Sequence, residues 1–215
     1  MPMSNILHLP ALIHLVCALN PKKVLDVGIG MGTYGFLLRQ HLDISRDRLD
    51  PREWKTSIHG IEIFPGYKNP VWDYAYDKVE VADIRVILNE LGQYDVVICN
   101  DVLEHLKKDD ARSVIQCLLK HSPVLISTTP NREYPQGIRA GNEAERHLSL
   151  LVETDFPELV TKIVTGVTTI YICCSDRNIR KLLQNAIITC PSIKEKNLFN
   201  LVFQLATKLR GRIVT

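Results

Sequence analysis

The sequence predicts a single α/β domain, an open sheet of mostly parallel strands with helices on both faces. Short runs rich in Val and Ile alternate with longer segments of helical period, the pattern of strands joined by crossover helices. One of those runs passes straight into a glycine-rich turn that opens a helix. At 215 residues, 46% hydrophobic and 23% charged, the chain suffices for one such core and a short appendage, and is short for two independent domains.

Taken in order, the apolar run at residues 6–19 is an N-terminal helix interrupted by His8, Pro10 and His14. It lacks the cationic start and small-residue cleavage site of a secretion signal, and both histidines read as packing residues. Strands are expected at residues 23–27, 59–63, 78–82, 94–100 and 123–128, with helices near 33–41, 84–91 and 102–120 as right-handed crossovers. Residues 43–55 are charged and carry Pro51, so they read as a surface insertion or short helix. Two β-branched runs at 159–164 and 167–173, joined through Gly166, spell a hairpin and hence an antiparallel strand in the sheet.

Residues 1–175 are therefore expected to form the domain and 176–215 a helical appendage. Within the latter, Leu198, Leu201, Val202, Leu205 and Leu209 recur at helical spacing, widened by Phe199 and Phe203. Such a stripe packs on the domain, on a second copy in a homodimer, or on a membrane surface as a peripheral contact.

A net charge of +2 and a pI near 8.2 lack the dense basic patch of a nucleic-acid partner, and none is expected. The six cysteines fall mostly in apolar runs without paired spacing, as free thiols in a reducing compartment do. No transmembrane segment is expected, because no uncharged run approaches the ~20 residues of a bilayer span. A cytoplasmic protein is the expectation. No His-Glu-x-x-His, paired cysteine or carboxylate cluster implies a metal.

The chemistry concentrates where Val24-Leu25-Asp26-Val27 runs into Gly28-Ile29-Gly30-Met31-Gly32 and a helix opens at about Thr33. Glycines let the backbone turn sharply and approach a ligand, and the free amides of the helix start favour electron-rich groups. Counted from Gly28, Thr33 stands where a dinucleotide fingerprint has its third glycine; counted from Gly30, the pattern is completed by Gly35. Asp26 decides between ligands, since it repels a pyrophosphate and suits a cationic amino group, directly or through water. Glu62, ending the second strand, is placed for ribose hydroxyls. After the third strand, Asp83 offers a carboxylate to an adenine amino group and Ile84 an apolar face to its ring.

These residues, with Cys99-Asn100-Asp101-Val102-Leu103-Glu104-His105 after the fourth strand, resemble the class I S-adenosylmethionine-dependent methyltransferases over about residues 24–174. The resemblance implies a Rossmann-like seven-stranded sheet in order 3-2-1-4-5-7-6 with strand 7 antiparallel. It implies S-adenosylmethionine as cofactor and S-adenosylhomocysteine as product. Asp26, Gly28, Gly30 and Gly32 would form the first cofactor motif with Tyr34 beside it. Glu62 and Ile63 would serve the ribose, Asp83 and Ile84 the adenine, and Cys99, Asn100 and Asp101 the wall beside the methionine moiety. Ser127-Thr128-Thr129-Pro130-Asn131, followed by Gly141-Asn142-Glu143-Ala144-Glu145-Arg146-His147-Leu148-Ser149, looks like a subgroup found among enzymes of polysaccharide and secondary-metabolite assembly.

That resemblance favours O-methylation of a small-molecule or glycan acceptor. N-methylation of a protein or other macromolecule is the first alternative, although the Asn-Pro-Pro-Tyr type of signature is absent at Asn100-Asp101-Val102-Leu103. A non-catalytic cofactor-binding protein is the second. Asp101 and Glu104 fit a capping box at the start of the helix expected from residue 102, and Asp101 would also face the crevice. His105 is a candidate general base or a packed first-turn histidine. His147, on a polar loop, is the stronger candidate base. Residues 131–149 as a whole, with Gly137 and Gly141, are expected to form the acceptor wall and close over the cofactor.

Overall fold

The structure, a computed structural model, describes residues 6–193. Its elements in chain order are α1 (Leu9–Leu19), β1 (Lys23–Val27), α2 (Thr33–Leu42), β2 (Ser57–Glu62), α3 (Pro70–Ala75), β3 (Lys78–Val81), α4 (Ile84–Ile87), β4 (Val96–Asn100), α5 (Lys108–His121), β5 (Val124–Pro130), β6 (Leu159–Thr165), β7 (Thr168–Cys174) and α6 (Arg177–Thr189). The strands form one seven-stranded sheet in the order β3-β2-β1-β4-β5-β7-β6, as the resemblance implied. Strands β1 to β5 are parallel, and β7 runs antiparallel to both β5 and β6.

Both faces of the sheet are covered, so β4 and β7 are buried along their whole length and β1 and β5 at all but one end residue. The pleat still sorts their side chains. Val96 and Ile98 of β4, with Ile170 and Ile172 of β7, join α1, α2, α3 and α6 in one core. Val97 and Cys99, with Tyr171 and Cys173, join α4 and α5 in the other. Leu183 and Ala186 of α6 belong to the same cluster as Leu12, Leu15 and Val16 of α1. The α6 start is capped by Asp176, which accepts hydrogen bonds from the Asn178 and Ile179 amides at 2.8 and 2.9 Å. The apolar stripe at 198–209 lies outside the described residues. Among the described residues no helix is long and apolar enough to cross a membrane.

Three expectations need correction. The helix expected from residue 102 starts only at Lys108, after a separate turn at Leu103–His105. Asp101 stands at φ 53°, left-handed rather than in the extended conformation of a side-chain N-cap, and its Oδ1 accepts instead from the Thr128 hydroxyl at 2.8 Å. Glu104 consequently faces inward rather than back to a helix end, and is buried. The insertion after α2 is not a purely surface feature. Its Asp43 is fully buried, accepting from Arg39, Arg48 and the Lys55 amide at 2.8 Å each, and the buried Arg39 guanidinium lies 4.0 Å over the Trp54 ring. Last, His8 is no simple packing residue: it precedes α1, and its Nε2 meets the Tyr34 hydroxyl at 2.7 Å.

The connection from β1 goes to β2 on one side, and the chain later returns to β4 on the other. The crevice between β1 and β4 at their carboxyl ends is the place where open α/β sheets bind ligands.

Candidate functional site

Strand β1 delivers the chain to Gly28, Gly30 and Gly32, which all have positive φ, at 76°, 52° and 85°. Residues with a Cβ resist that region, which is why the loop alternates glycine. Space is the second reason at Gly28, where a Cβ would fall 2.2 Å from Val102 Cγ2. The loop is held from β2: the Gly28 and Ile29 amides both donate to the Ile61 carbonyl, at 2.8 and 3.2 Å. Glu62 Oε2 accepts the Gly30 amide at 2.8 Å, and Oε1 accepts the Phe64 amide at 2.9 Å. Burial raises the Glu62 pKa, while those two amides restrain the rise.

Beneath the loop, Asp26 Oδ2 accepts from the Tyr76 hydroxyl at 2.7 Å, and the same hydroxyl oxygen accepts the Gly35 amide at 3.0 Å. A Cβ on Gly35 would stand 2.2 Å from Tyr76 Cζ, so Gly35 admits the ring that ties Asp26 to the helix start. Burial lifts the Asp26 carboxyl to about 7, against the Tyr76 hydrogen bond and with help from Glu62. Tyr76 was not visible as a site residue in the sequence; its one trace there was the glycine inside α2. On the other side of the loop, the His8 ring that meets Tyr34 lies 3.9 Å from Asp101 Oδ2. Burial lowers the His8 pKa and keeps the ring neutral, so the contact is polar rather than an ion pair.

A cleft of about 340 Å³ opens at the carboxyl edge. Gly28, Glu62, Ile63, Asp83 and Ile84 line it from the β1–β3 side, and Asn100, Asp101 and His105 from the β4 side. Asp26, Gly30, Gly32, Tyr34 and Cys99 do not line it. The first four lie in or beside the glycine loop, and the Cys99 side chain is buried in the core beneath α5. Asp83 caps α4, accepting the Arg85 amide at 2.9 Å and its guanidinium alongside. Asn100 is 4% exposed, yet among the described residues neither its side-chain nitrogen nor its oxygen has a hydrogen-bond partner. A buried amide left so is costly, and it faces a space that a polar ligand would fill.

The long loop at residues 131–149 roofs this cleft with Asn142, Ala144, Glu145 and Arg146. It is tied down by Tyr67, whose hydroxyl donates to Glu145 Oε1 at 2.7 Å and accepts from Asn142 Nδ2 at 3.3 Å. Tyr67 did not stand out in the sequence, and Glu145 did so only as part of the segment that carries the subgroup resemblance. The loop also reaches the β4 side, where the Leu148 and Ser149 amides both donate to the Glu104 carbonyl, at 2.8 and 3.1 Å. His147 lines a second, shallower hollow with Tyr134, and its ring centroid is 4.9 Å from that of His105. His105 Nδ1 is 3.1 Å from the Arg146 carbonyl, and His147 Nδ1 is 2.6 Å from the Tyr134 carbonyl. A carbonyl only accepts, so both rings carry their proton on Nδ1 and present an Nε2 lone pair. Burial lowers both pKa values, and at His147 the neighbouring His105 lowers it further.

Residues 7–163 match the family model described as a methyltransferase domain. No curated protein matches the sequence. Among solved structures, the N-terminal domain of EvdMO1, determined with SAH and D-fucose present, is similar at TM-score 0.53 and 15% identity, over 78% of this chain and 83% of that one. Magnesium protoporphyrin IX methyltransferase from Synechocystis PCC 6803, with bound SAM, gives 0.51 and 19% over 78% and 76%. An O-methyltransferase family protein from Burkholderia thailandensis gives 0.53 and 16% over 80% and 58%.

Proposed function

Because the chain belongs to the methyltransferase-domain family, we propose that it transfers the methyl group of S-adenosylmethionine to a hydroxyl oxygen of a small molecule or glycan. The residues present fit that cofactor. Gly28 leaves room that a Cβ would take, Asn100 offers a buried donor and acceptor with no partner among the described residues, and Glu62 presents a carboxylate for ribose hydroxyls. Asp83 and the apolar Ile63 and Ile84 would hold the adenosine end, and Asn100 and Asp101 the methionine end. Asp26, Gly30, Gly32, Tyr34 and Cys99 would shape the loop and wall from behind. The bound sulfonium supplies an activated methyl group, leaving the protein to orient the acceptor, exclude water and deal with its proton.

One observation carries the choice of oxygen. A pair of imidazoles with free Nε2 lone pairs stands where the cleft meets the second hollow. A neutral amine attacks a methyl group with the lone pair it already has, whereas a hydroxyl must shed a proton on the way. His147 is the better placed of the two for an acceptor in the second hollow, and His105 and Asp101 border the cofactor cleft. Incubating the chain with methyl-labelled S-adenosylmethionine and a panel of hydroxylated metabolites and glycans tests the reading by mass spectrometry. The expected result is label on an acceptor oxygen with one S-adenosylhomocysteine formed per transfer. Label on nitrogen, or none on any acceptor, would count against it. Replacing His147 by Ala should lower turnover by about 10²-fold with S-adenosylhomocysteine affinity unchanged.

A further inference from the structure

The two imidazoles have a third companion, Glu104. One carboxylate oxygen, one nitrogen of His105 and one of His147 lie within 4.8 Å of one another. Glu104 is 2% exposed, and among the described residues its Oε2 has no hydrogen-bond partner. A carboxylate so placed is unstable without a cation or proton. Both histidines donate Nδ1–H to a backbone carbonyl, as metal-ligating histidines commonly do, which leaves Nε2 as the nitrogen able to ligate. The paired amide bonds from Leu148 and Ser149 to the Glu104 carbonyl join the two segments that bring the three side chains together.

We propose that Glu104, His105 and His147 bind a divalent transition-metal ion, with open positions that take the acceptor hydroxyl. Two imidazoles and one carboxylate suit such an ion better than calcium or magnesium, which favour all-oxygen sets. Ligands of a tetrahedral ion at about 2.1 Å stand about 3.4 Å apart, so the separations within the set shrink by up to about 1.4 Å on binding. His147 sits in a loop with Gly137 and Gly141, which allows that movement.

The inference deepens the reading of O-methylation and rests on it for its chemistry. A hydroxyl bound to the ion loses its proton to water more readily, because the ion stabilises the alkoxide. The alkoxide lone pair then forms the new O–CH3 bond. The S–CH3 bond breaks, its electron pair returns to sulfur, and neutral S-adenosylhomocysteine remains. In this form the imidazoles hold the ion rather than receive the proton. The linear motifs of metal sites missed the set because its ligands come from two loops that only the fold unites.

The test is titration of the full chain, first stripped with a chelator, with Co2+, read by calorimetry and by the visible absorption of the ion. One equivalent should bind, with bands of nitrogen and oxygen coordination. Glu104→Gln and His147→Ala should each weaken binding by tenfold or more while His41→Ala, on the exposed end of α2, leaves it unchanged. Circular dichroism and S-adenosylhomocysteine affinity, both retained in His147→Ala, would show that the loss is local. Absence of stoichiometric binding, or binding that survives both substitutions, overturns the metal site and leaves the methyl-transfer reading standing. Failure of the parent to bind S-adenosylhomocysteine would overturn the latter by a separate measurement.

Discussion

Asp26 precedes the glycine loop yet does not line the cleft. Its folded pKa of about 7 lies above the ~3.9 of an unfolded chain, so folding favours the protonated form. That contribution is complete below about pH 4 and is lost as the pH climbs through about 7. Asp26→Asn, which cannot titrate, should therefore gain on the parent as pH rises from 5 to 8. The gain should be at least about 1 kcal/mol, some 2–4 °C in melting temperature. Melting curves at both pH values check this, and parallel shifts in the two proteins would show that the acid titrates normally. The type of residue was legible in the sequence, but its contact was not. Spacing from the first glycine placed Asp26 near a ligand, whereas its partner Tyr76 comes from another element and announced itself only as a glycine in α2.

Among the elements, the roof loop at 131–149 is fixed to the cleft by few bonds, with Tyr67 at their centre. Tyr67→Phe removes one donor from Glu145 and one acceptor from Asn142, about 1 kcal/mol each. Amide exchange at residues 142–146 should accelerate by about fivefold or more while the β4 amides keep their protection. Unchanged exchange in the roof would show that other contacts close it. The loop's length and mixture of aromatic, cationic and imidazole groups identified it in the sequence. What failed was the stretch just before it in space. Residues 101–107 read as the first turn of a helix because Asp101 and Glu104 have capping-box spacing. Asp101 instead turns left-handed under its bond to Thr128, and only the neighbouring strand shows that. The insertion misled for a related reason, since a charged segment can bury Asp43 once Arg39 and Arg48 neutralise it.

At the level of the whole molecule, the strand order was what the family resemblance implied, while the antiparallel hairpin was legible in its two β-branched runs joined by Gly166, at φ 72°. How α6 folds back on α1 was not, since two amphipathic helices far apart in the chain bear no mark of their partner. His14 Nε2 is 3.1 Å from the Ala186 carbonyl, and Leu183 is fully buried in the shared core. Leu183→Ala should cost roughly 2–5 kcal/mol and lower the melting temperature by at least about 4 °C in a single transition. A smaller loss, or a separate early transition, would mean that α6 is not part of the cooperative unit. The most direct test of the account is calorimetric binding of S-adenosylhomocysteine to the parent and to Gly28→Val. The account predicts a Kd of about micromolar for the parent, and a loss of at least tenfold, about 1.4 kcal/mol, in a folded variant. No binding by the parent, or equal affinity in both, would contradict it.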